Sequence, residues 1–285
     1  MTSNKFSRRI FLKLAAATGI AVGTGSLVFG DAFSPYVIDV TDHRIPLRNL
    51  SSNFDGYKII QITDLHMGSW LNRERLLEVV ELVNELQPDL VAITGDFIVK
   101  GEIESQADNL IFALSQLQAM DGVVGVLGNH DYVANVERTR EVLQQANVLE
   151  LPNEHIIIER DSAKLVIAGL DDVWADQHDI AKLTSQIPEG LPVVLMAHEP
   201  DIADKTSRTG RFGLQISGHS HGGQIRTSDG NAPVLPWLGE KYSIGRYQVK
   251  DMIQYTNRGI GMTGIPIRIN CPPEISIFNL EPLTT

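Results

Sequence analysis

Five stretches of this chain stay apolar for four to six residues and then stop at a polar cluster. Lys58-Ile59-Ile60-Gln61-Ile62-Thr63 stops at Asp64-Leu65-His66, and Asp89-Leu90-Val91-Ala92-Ile93-Thr94 stops at Gly95-Asp96. Val123-Val124-Gly125-Val126-Leu127 stops at Gly128-Asn129-His130-Asp131. Pro192-Val193-Val194-Leu195-Met196-Ala197 stops at His198-Glu199-Pro200, and Leu214-Gln215-Ile216-Ser217 at Gly218-His219-Ser220-His221-Gly222-Gly223. Short apolar runs bounded by turn residues predict buried strands. Residues 71–87 have apolar positions at 76, 77, 79, 80, 83 and 86, a helical stripe that Pro88 ends. A second helix is predicted over 102–117 and a third over 135–147. The β-α-β-α-β order of the first three strands predicts parallel pairing with right-handed crossovers. Ligands of such sheets gather at the carboxyl ends of the strands.

Elsewhere the pattern is less regular. Residues 36–40 alternate like a half-buried strand, and strands are predicted over 148–158 and 165–168. From residue 242 onward short strands (242–249, 252–256, 265–269, 275–280) separated by turns suggest a second sheet closing the domain.

Composition narrows the reading in three places. The 285 residues carry a formal net charge of −11. The first 30 residues hold Lys5, Arg8, Arg9 and Lys13 and no acid, so the remainder has 20 basic residues against 35 acidic, a net −15. That balance argues against nucleic acid as a partner, because a phosphate backbone demands a basic surface. One cysteine, Cys271, excludes an internal disulfide and a cysteine-rich zinc site and reads as an inert thiol. The segment Ser7-Arg8-Arg9-Ile10-Phe11-Leu12-Lys13, followed by a Gly/Ala/Thr-rich apolar run to residue 30, resembles a twin-arginine export signal or anchor. The expected organisation is therefore residues 1–30 as signal or anchor and 31–285 as one domain. The chain would be exported across, or anchored to, the cytoplasmic membrane and face its outer side. Its expected partners are the twin-arginine export machinery and a membrane surface.

The polar clusters share one chemistry. Asp64 and His66 lie two apart, so on extended backbone they face the same way, and the same argument joins His219 to His221. With Asp96, Asn129 and His198 they make seven oxygen or imidazole donors and no thiolate. That is about what two divalent ions some 3.5–4 Å apart require when one carboxylate is shared. The donor set disfavours a closed structural zinc site and suits Mn, Fe or Zn at a catalytic centre. Asp171 and Asp172 are expected in a turn or cap, Trp174 in packing, and Arg226, Arg246 and Arg258 in structural pairing. Pro233 to Trp237, with Leu235 and Leu238, offer a candidate lipid-facing apolar edge.

The order D-x-H, G-D, G-N-H-D, H-E-P, G-H-S-H resembles the calcineurin-like metallophosphoesterase family, motif for motif from residue 58 to about 224. Gly259-Ile260-Gly261 onward is similar to the closing region of its subgroup with twin-arginine leaders, the YkuE/YaeI-like phosphoesterases. The resemblance implies an α/β fold with mixed sheets, a four-layer α/β/β/α sandwich. It implies one metal on Asp64, His66, Asp96 and His221, and a second on Asp96, Asn129, His198 and His219. The expected function is hydrolysis of a phosphodiester or pyrophosphate bond by a metal-bridging hydroxide, on an envelope or lipid-linked substrate. His130 would act on the leaving group or transition state, and Asp131 would fix the tautomer and orientation of His130. A phosphomonoesterase, a nucleotide phosphodiesterase and a non-catalytic metal-binding protein of the same fold are the alternatives.

Overall fold

A computed structural model of the chain describes residues 37–68 and 70–283. The leader motif lies outside the described residues. Among those described, no helix is long and apolar enough to cross a membrane.

Two six-stranded sheets form the body. The first has β1 (Asp39–Leu47), β2 (Tyr57–Ile62), β3 (Leu90–Thr94), β4 (Val123–Val126), β5 (Val148–Glu150) and β12 (Glu274–Pro282), in the spatial order β1-β12-β2-β3-β4-β5. The second has β6 (Glu154–Arg160), β7 (Ala163–Gly169), β8 (Val193–Met196), β9 (Leu214–Ser217), β10 (Gly245–Val249) and β11 (Met252–Thr256), in the order β10-β11-β9-β8-β7-β6. Both are mixed: β2 to β5 pair in parallel while β12 runs antiparallel to β2 and parallel to β1. In the second sheet β7, β8, β9 and β11 are parallel, with antiparallel edges at β6 and β10.

Period-2 alternation divides each strand between two cores. Ile59, Leu90, Ala92, Val124 and Val126 of the first sheet meet Leu165, Ile167, Val194, Met196, Leu214 and Ile216 of the second in the central layer. Their neighbours Ile60, Ile62, Val91 and Ile93 face α1 (Arg73–Glu85), α2 (Ile103–Leu114) and α3 (Asn129–Gln145). On the far side Val166, Ala168, Val193 and Leu195 pack with Leu183 of α4 (Ile180–Gln186) and Ile202. The layers are thus α/β/β/α. In α1 the periodic positions Leu76, Val79, Val80 and Val83 are buried, and the Asn72 side chain caps the start by accepting from Arg75 N at 3.0 Å.

Three elements depart from the pattern-based expectation. The stretch 148–158 is two strands in different sheets, not one: Pro152 has no N–H for a ladder, and Asn153 adopts a left-handed φ of 54°, so the chain crosses between layers there. Residues 265–269 form no strand and make only the isolated bridge Ile225 to Ile269, because Pro266 interrupts the donor row. The last strand does not join the second sheet but inserts between β1 and β2 of the first. Helix α3 also starts earlier than its apolar pattern, at Asn129, with a break at Asn135 (φ −179°) where the periodic part begins.

Candidate metal centre

The parallel strands of both sheets end at one place, and there the chain turns sharply. Asp64 (φ 51°), His66 (45°), Asp96 (55°), His219 (68°) and His221 (52°) all occupy the left-handed region. Each such non-glycine residue costs on the order of 1–3 kcal/mol and persists only where its surroundings impose it. Here they do. Asp64 N donates to Gly95 O (3.0 Å), His66 N to Asp96 O (3.0 Å) and Gly218 N to His198 O (3.0 Å), so neighbouring loops stay laced together beyond the strand ends.

This backbone changes why the paired residues act together. Asp64 and His66 do converge, with His66 Nε2 3.9 Å from Asp64 Oδ1, but through left-handed turns instead of strand alternation. His219 and His221 do not share a face. His221 Nε2 lies 3.0 Å from His66 Nε2 and 3.3 Å from Asp64 Oδ1, whereas His219 Nδ1 lies 3.2 Å from His198 Nε2. Two consecutive left-handed turns, rather than an extended backbone, direct the two imidazoles into separate clusters.

Asp96 stands between them. Its Oδ2 is 3.5 Å from His66 Nε2 and 3.3 Å from His198 Nε2, and its Oδ1 accepts from His130 N at 2.8 Å. Asp64, His66 and His221 form one group able to hold a cation, and Asp64, Asp96 and His198 another. His66, Asp96 and His130 make a third such group, so His130 is itself within ligand range. Two close approaches allow this density. A Cβ on Gly128 would come 2.4 Å from Asp96 Oδ1, and one on Gly218 would come 2.2 Å from Asp64 Oδ2. Only glycine fits at either position.

Outer contacts fix two of the imidazoles. His198 Nδ1 lies 2.7 Å from Thr94 O, and His219 Nε2 lies 2.8 Å from Trp237 O. Donating to a carbonyl from one nitrogen leaves the other, His198 Nε2 or His219 Nδ1, as the free donor to a cation. The Asn129 Oδ1 atom is buried without a hydrogen-bond partner. A buried, unpaired amide oxygen is costly, and such an oxygen suits a hard or borderline cation.

The protonation pattern fits the same reading. Burial pushes His66 down to about 3 and His221 well below its usual range, leaving both neutral. Burial also opposes charge on His198, yet the Asp96 carboxylate raises that imidazole well above the ordinary range. Burial would raise Asp96 as well, but the positive charge of His198 brings it well below. A proton shared by this pair stands where a cation would otherwise balance the carboxylate.

Asp131 is placed differently from its expected role. Its Oδ2 accepts from Asp96 N and Gly128 N, both at 2.9 Å, and its Oδ1 from Phe97 N (2.9 Å) and Ile98 N (3.3 Å). The carboxylate ties the Asp96 loop to the Gly128 loop, and these bonds replace the expected one to His130, whose Nδ1 has no partner. Asp172 is buried, accepts from Ala175 N at 2.5 Å in a turn, and faces Glu199, which in turn accepts from Val173 N and Trp174 N. Trp174 is exposed, contrary to a packing role. Cys271 is fully buried and its thiol donates to His221 O at 3.2 Å.

Arg268 carried no signal in the sequence. Its buried guanidinium donates to the carbonyls of Arg258 (2.9 Å), Gly259 (3.0 Å), Gly261 (2.6 Å) and Cys271 (3.1 Å). The Gly259–Gly261 strap it gathers lies on the Asp64 loop, with Ile260 N on Thr63 O (3.0 Å) and Gly261 N on Asp64 O (2.8 Å). The glycine pair was the only visible trace of this strap. Arg258 is paired with Glu274 and Asp39, as its structural reading implied.

Comparison with known proteins agrees with this geometry. The calcineurin-like phosphoesterase family model matches residues 57–223. The chain is 34% identical over 282 residues to the uncharacterized metallophosphoesterase YkuE of Bacillus subtilis, covering 97% of this chain and 98% of that one. It is 28% identical over 279 residues to phosphodiesterase YaeI of Escherichia coli, covering 96% and 99%. It is 31% identical over 263 residues to a transmembrane protein with metallophosphoesterase domain of Danio rerio, covering 87% of this chain and 57% of that protein.

Proposed function

The chain belongs to the calcineurin-like phosphoesterase family, and from that premise we propose that it is a dinuclear metal-dependent hydrolase of a phosphodiester or pyrophosphate bond. The observation that carries this reading is the position of Asp96, one carboxylate oxygen lying 3.5 Å from His66 and 3.3 Å from His198. A carboxylate shared between two imidazole clusters is what a pair of divalent ions needs. Asp64, His66, Asp96 and His221 would hold one ion, and Asp96, Asn129, His198 and His219 the other. When bound, two such ions supply Lewis acidity that activates water and neutralises phosphoryl charge.

The chain's own residues do the rest. His130 stands in the first turn of α3 with its backbone N–H on Asp96, so its imidazole is held beside the cluster. It would stabilise the phosphoryl transition state or protonate the leaving oxygen, a contribution typically of about 10²–10⁴-fold. Asp131 serves as a positioning residue by holding the Asp96 and Gly128 loops together. The diester preference draws on the relative named a phosphodiesterase. An extracytoplasmic, envelope or lipid-linked substrate draws on the Arg8-Arg9 leader and on the relative named a transmembrane protein. The proposed organisation is residues 1–30 as signal or anchor and 31–285 as the catalytic domain.

The test is hydrolysis of bis(p-nitrophenyl) phosphate by protein stripped with a chelator and then supplied with Mn²⁺, Zn²⁺ or Fe²⁺. Activity should vanish on stripping and return with metal. Full turnover by metal-free protein would refute the dinuclear reading.

A further inference from the structure

The loops that grip the ligand segment 219–224 carry exposed apolar side chains. Trp237 is 62% exposed, Ile265 48% and Val234 41%. Both loops are anchored. Trp237 O takes the bond from His219 Nε2 (2.8 Å), and the Gln224 side chain accepts from Thr263 N (2.6 Å) and donates to Thr263 O (3.0 Å). Val234 sits in a loop packed on Gly223, where a Cβ would meet Ala232 Cβ at 2.6 Å. Pro233, Pro236 and Pro266 preset the backbone of these loops. Leu238 accepts a left-handed φ of 70°, and its carbonyl is held by Asp201 N at 3.0 Å. Rigid loops present their apolar groups with little ordering cost on binding.

Scattered apolar residues on a surface need no explanation, but these are not scattered. Among the described residues eleven large hydrophobic side chains are exposed; four stand on loops of the metal centre and a fifth, Val133, near the start of α3. Besides Val234, Trp237 and Ile265 these are Val133, three residues after His130, and Trp174, whose N–H is held by the Glu199 that follows His198. An apolar rim on the loops that hold a polar site marks a binding surface.

We propose that this rim binds the hydrocarbon portion of an amphiphilic phosphoester whose phosphoryl group lies on the Asp/His cluster. The proposal rests on the phosphoesterase reading above. These loops bond directly to the His219–Gln224 segment, so the organic substituent of a phosphoester held at the cluster has them as neighbours, and the occupant is covalently part of the substrate. The formal charge of −11 opposes adsorption to an anionic lipid surface, which favours a substrate chain over a membrane as the occupant.

The test is a series of alkyl p-nitrophenyl phosphodiesters, methyl to octyl, hydrolysed by the Mn²⁺-loaded full chain. Fully burying a methylene is worth about fourfold, and a half-open rim about half that effect, so kcat/KM should rise roughly two- to fourfold per methylene along the first several carbons. The Val234→Ser/Ile265→Ser double variant should flatten the rise, read as the octyl-to-methyl ratio so that any change in folded fraction cancels. In a second arm, octylphosphonate should blue-shift the tryptophan emission of the wild type at lower concentration than methylphosphonate, and the double variant should lose that difference. A flat series in the wild type, or an unchanged ratio in the double variant, overturns the proposal. So does Val234/Ile265-dependent pelleting with phosphatidylcholine vesicles alongside a flat series, which would assign the rim to a membrane. If no member of the series is hydrolysed, the methyl ester included, the phosphoesterase reading fails instead, and the phosphonate arm alone decides the rim.

Discussion

Replacing Asp131 by asparagine separates the two roles that this residue could play. Each carboxylate oxygen accepts from two backbone N–H groups, Asp96 and Gly128 on one, Phe97 and Ile98 on the other. Asp131→Asn keeps the shape but turns one acceptor into a donor, leaving two buried N–H groups without a partner. Each orphaned group costs about 1–3 kcal/mol, so the variant should lose roughly 2–6 kcal/mol. That is a large share of the about 5–15 kcal/mol by which domains are stable, yet it leaves a folded protein. At about 2–4 °C per kcal/mol for a domain of this size, Tm should fall by roughly 4–24 °C in calorimetry. Because the Asp96 and Gly128 loops would loosen, the affinity for metal, read by titration followed with metal analysis, should fall together with Tm. An orienter of His130 behaves otherwise: Tm and metal content would stay at wild-type values while kcat alone dropped. That second outcome would refute the loop-tying role.

Four further outcomes are expected. His130→Ala should retain the wild-type metal content by elemental analysis and lose on the order of 10²–10⁴ in kcat; unchanged kcat would remove His130 from the chemistry. Gly218→Ala places a Cβ 2.2 Å from Asp64 Oδ2, and forcing such an atom into a packed site costs about 1–3 kcal/mol. Metal content should therefore fall, with little change in the circular dichroism spectrum. Asp172 is pushed up to about 9 by burial and by Glu199 beside it. A carboxyl raised in the folded state gives stability that is full below its unfolded pKa near 3.8 and is lost as pH climbs toward the folded value. Asp172→Asn should therefore flatten the decline of Tm between pH 5 and 9, and an identical decline in the variant would exclude Asp172 as its source. Arg268→Lys keeps the charge but cannot span the carbonyls of Arg258, Gly259 and Gly261 at once, so metal affinity, read by titration, should weaken.

Much of the candidate donor set was legible because metal chemistry admits few residue types and strand ends are marked by abrupt changes in hydropathy. Asp64, His66, Asp96, Asn129, His198, His219 and His221 all lie at such ends, and folding brings the carboxylates and imidazoles among them into one buried group. The strands themselves read correctly where an uninterrupted apolar run met a turn, as in β2, β3, β4, β8 and β9. Boundaries failed where a proline or a left-handed asparagine overrode the run, as at Pro152-Asn153.

The sequence by itself determined the donor set, the alternation that splits each strand between two cores, and the glycines that permit close approach at Gly128 and Gly218. Tertiary structure decided how those donors divide. Period 2 put His219 beside His221, yet a turn of the backbone sends one toward His198 and the other toward His66, because φ at both residues is positive and no local propensity encodes that. Only the folded chain shows that Asp131 serves the backbone and that Trp237 O and Thr94 O orient imidazoles. It alone reveals that Arg268 clasps a strap over the Asp64 loop. Each of these contacts runs through main-chain carbonyls or N–H groups. Every residue carries those groups alike, so side-chain identity leaves no record of which of them will be used.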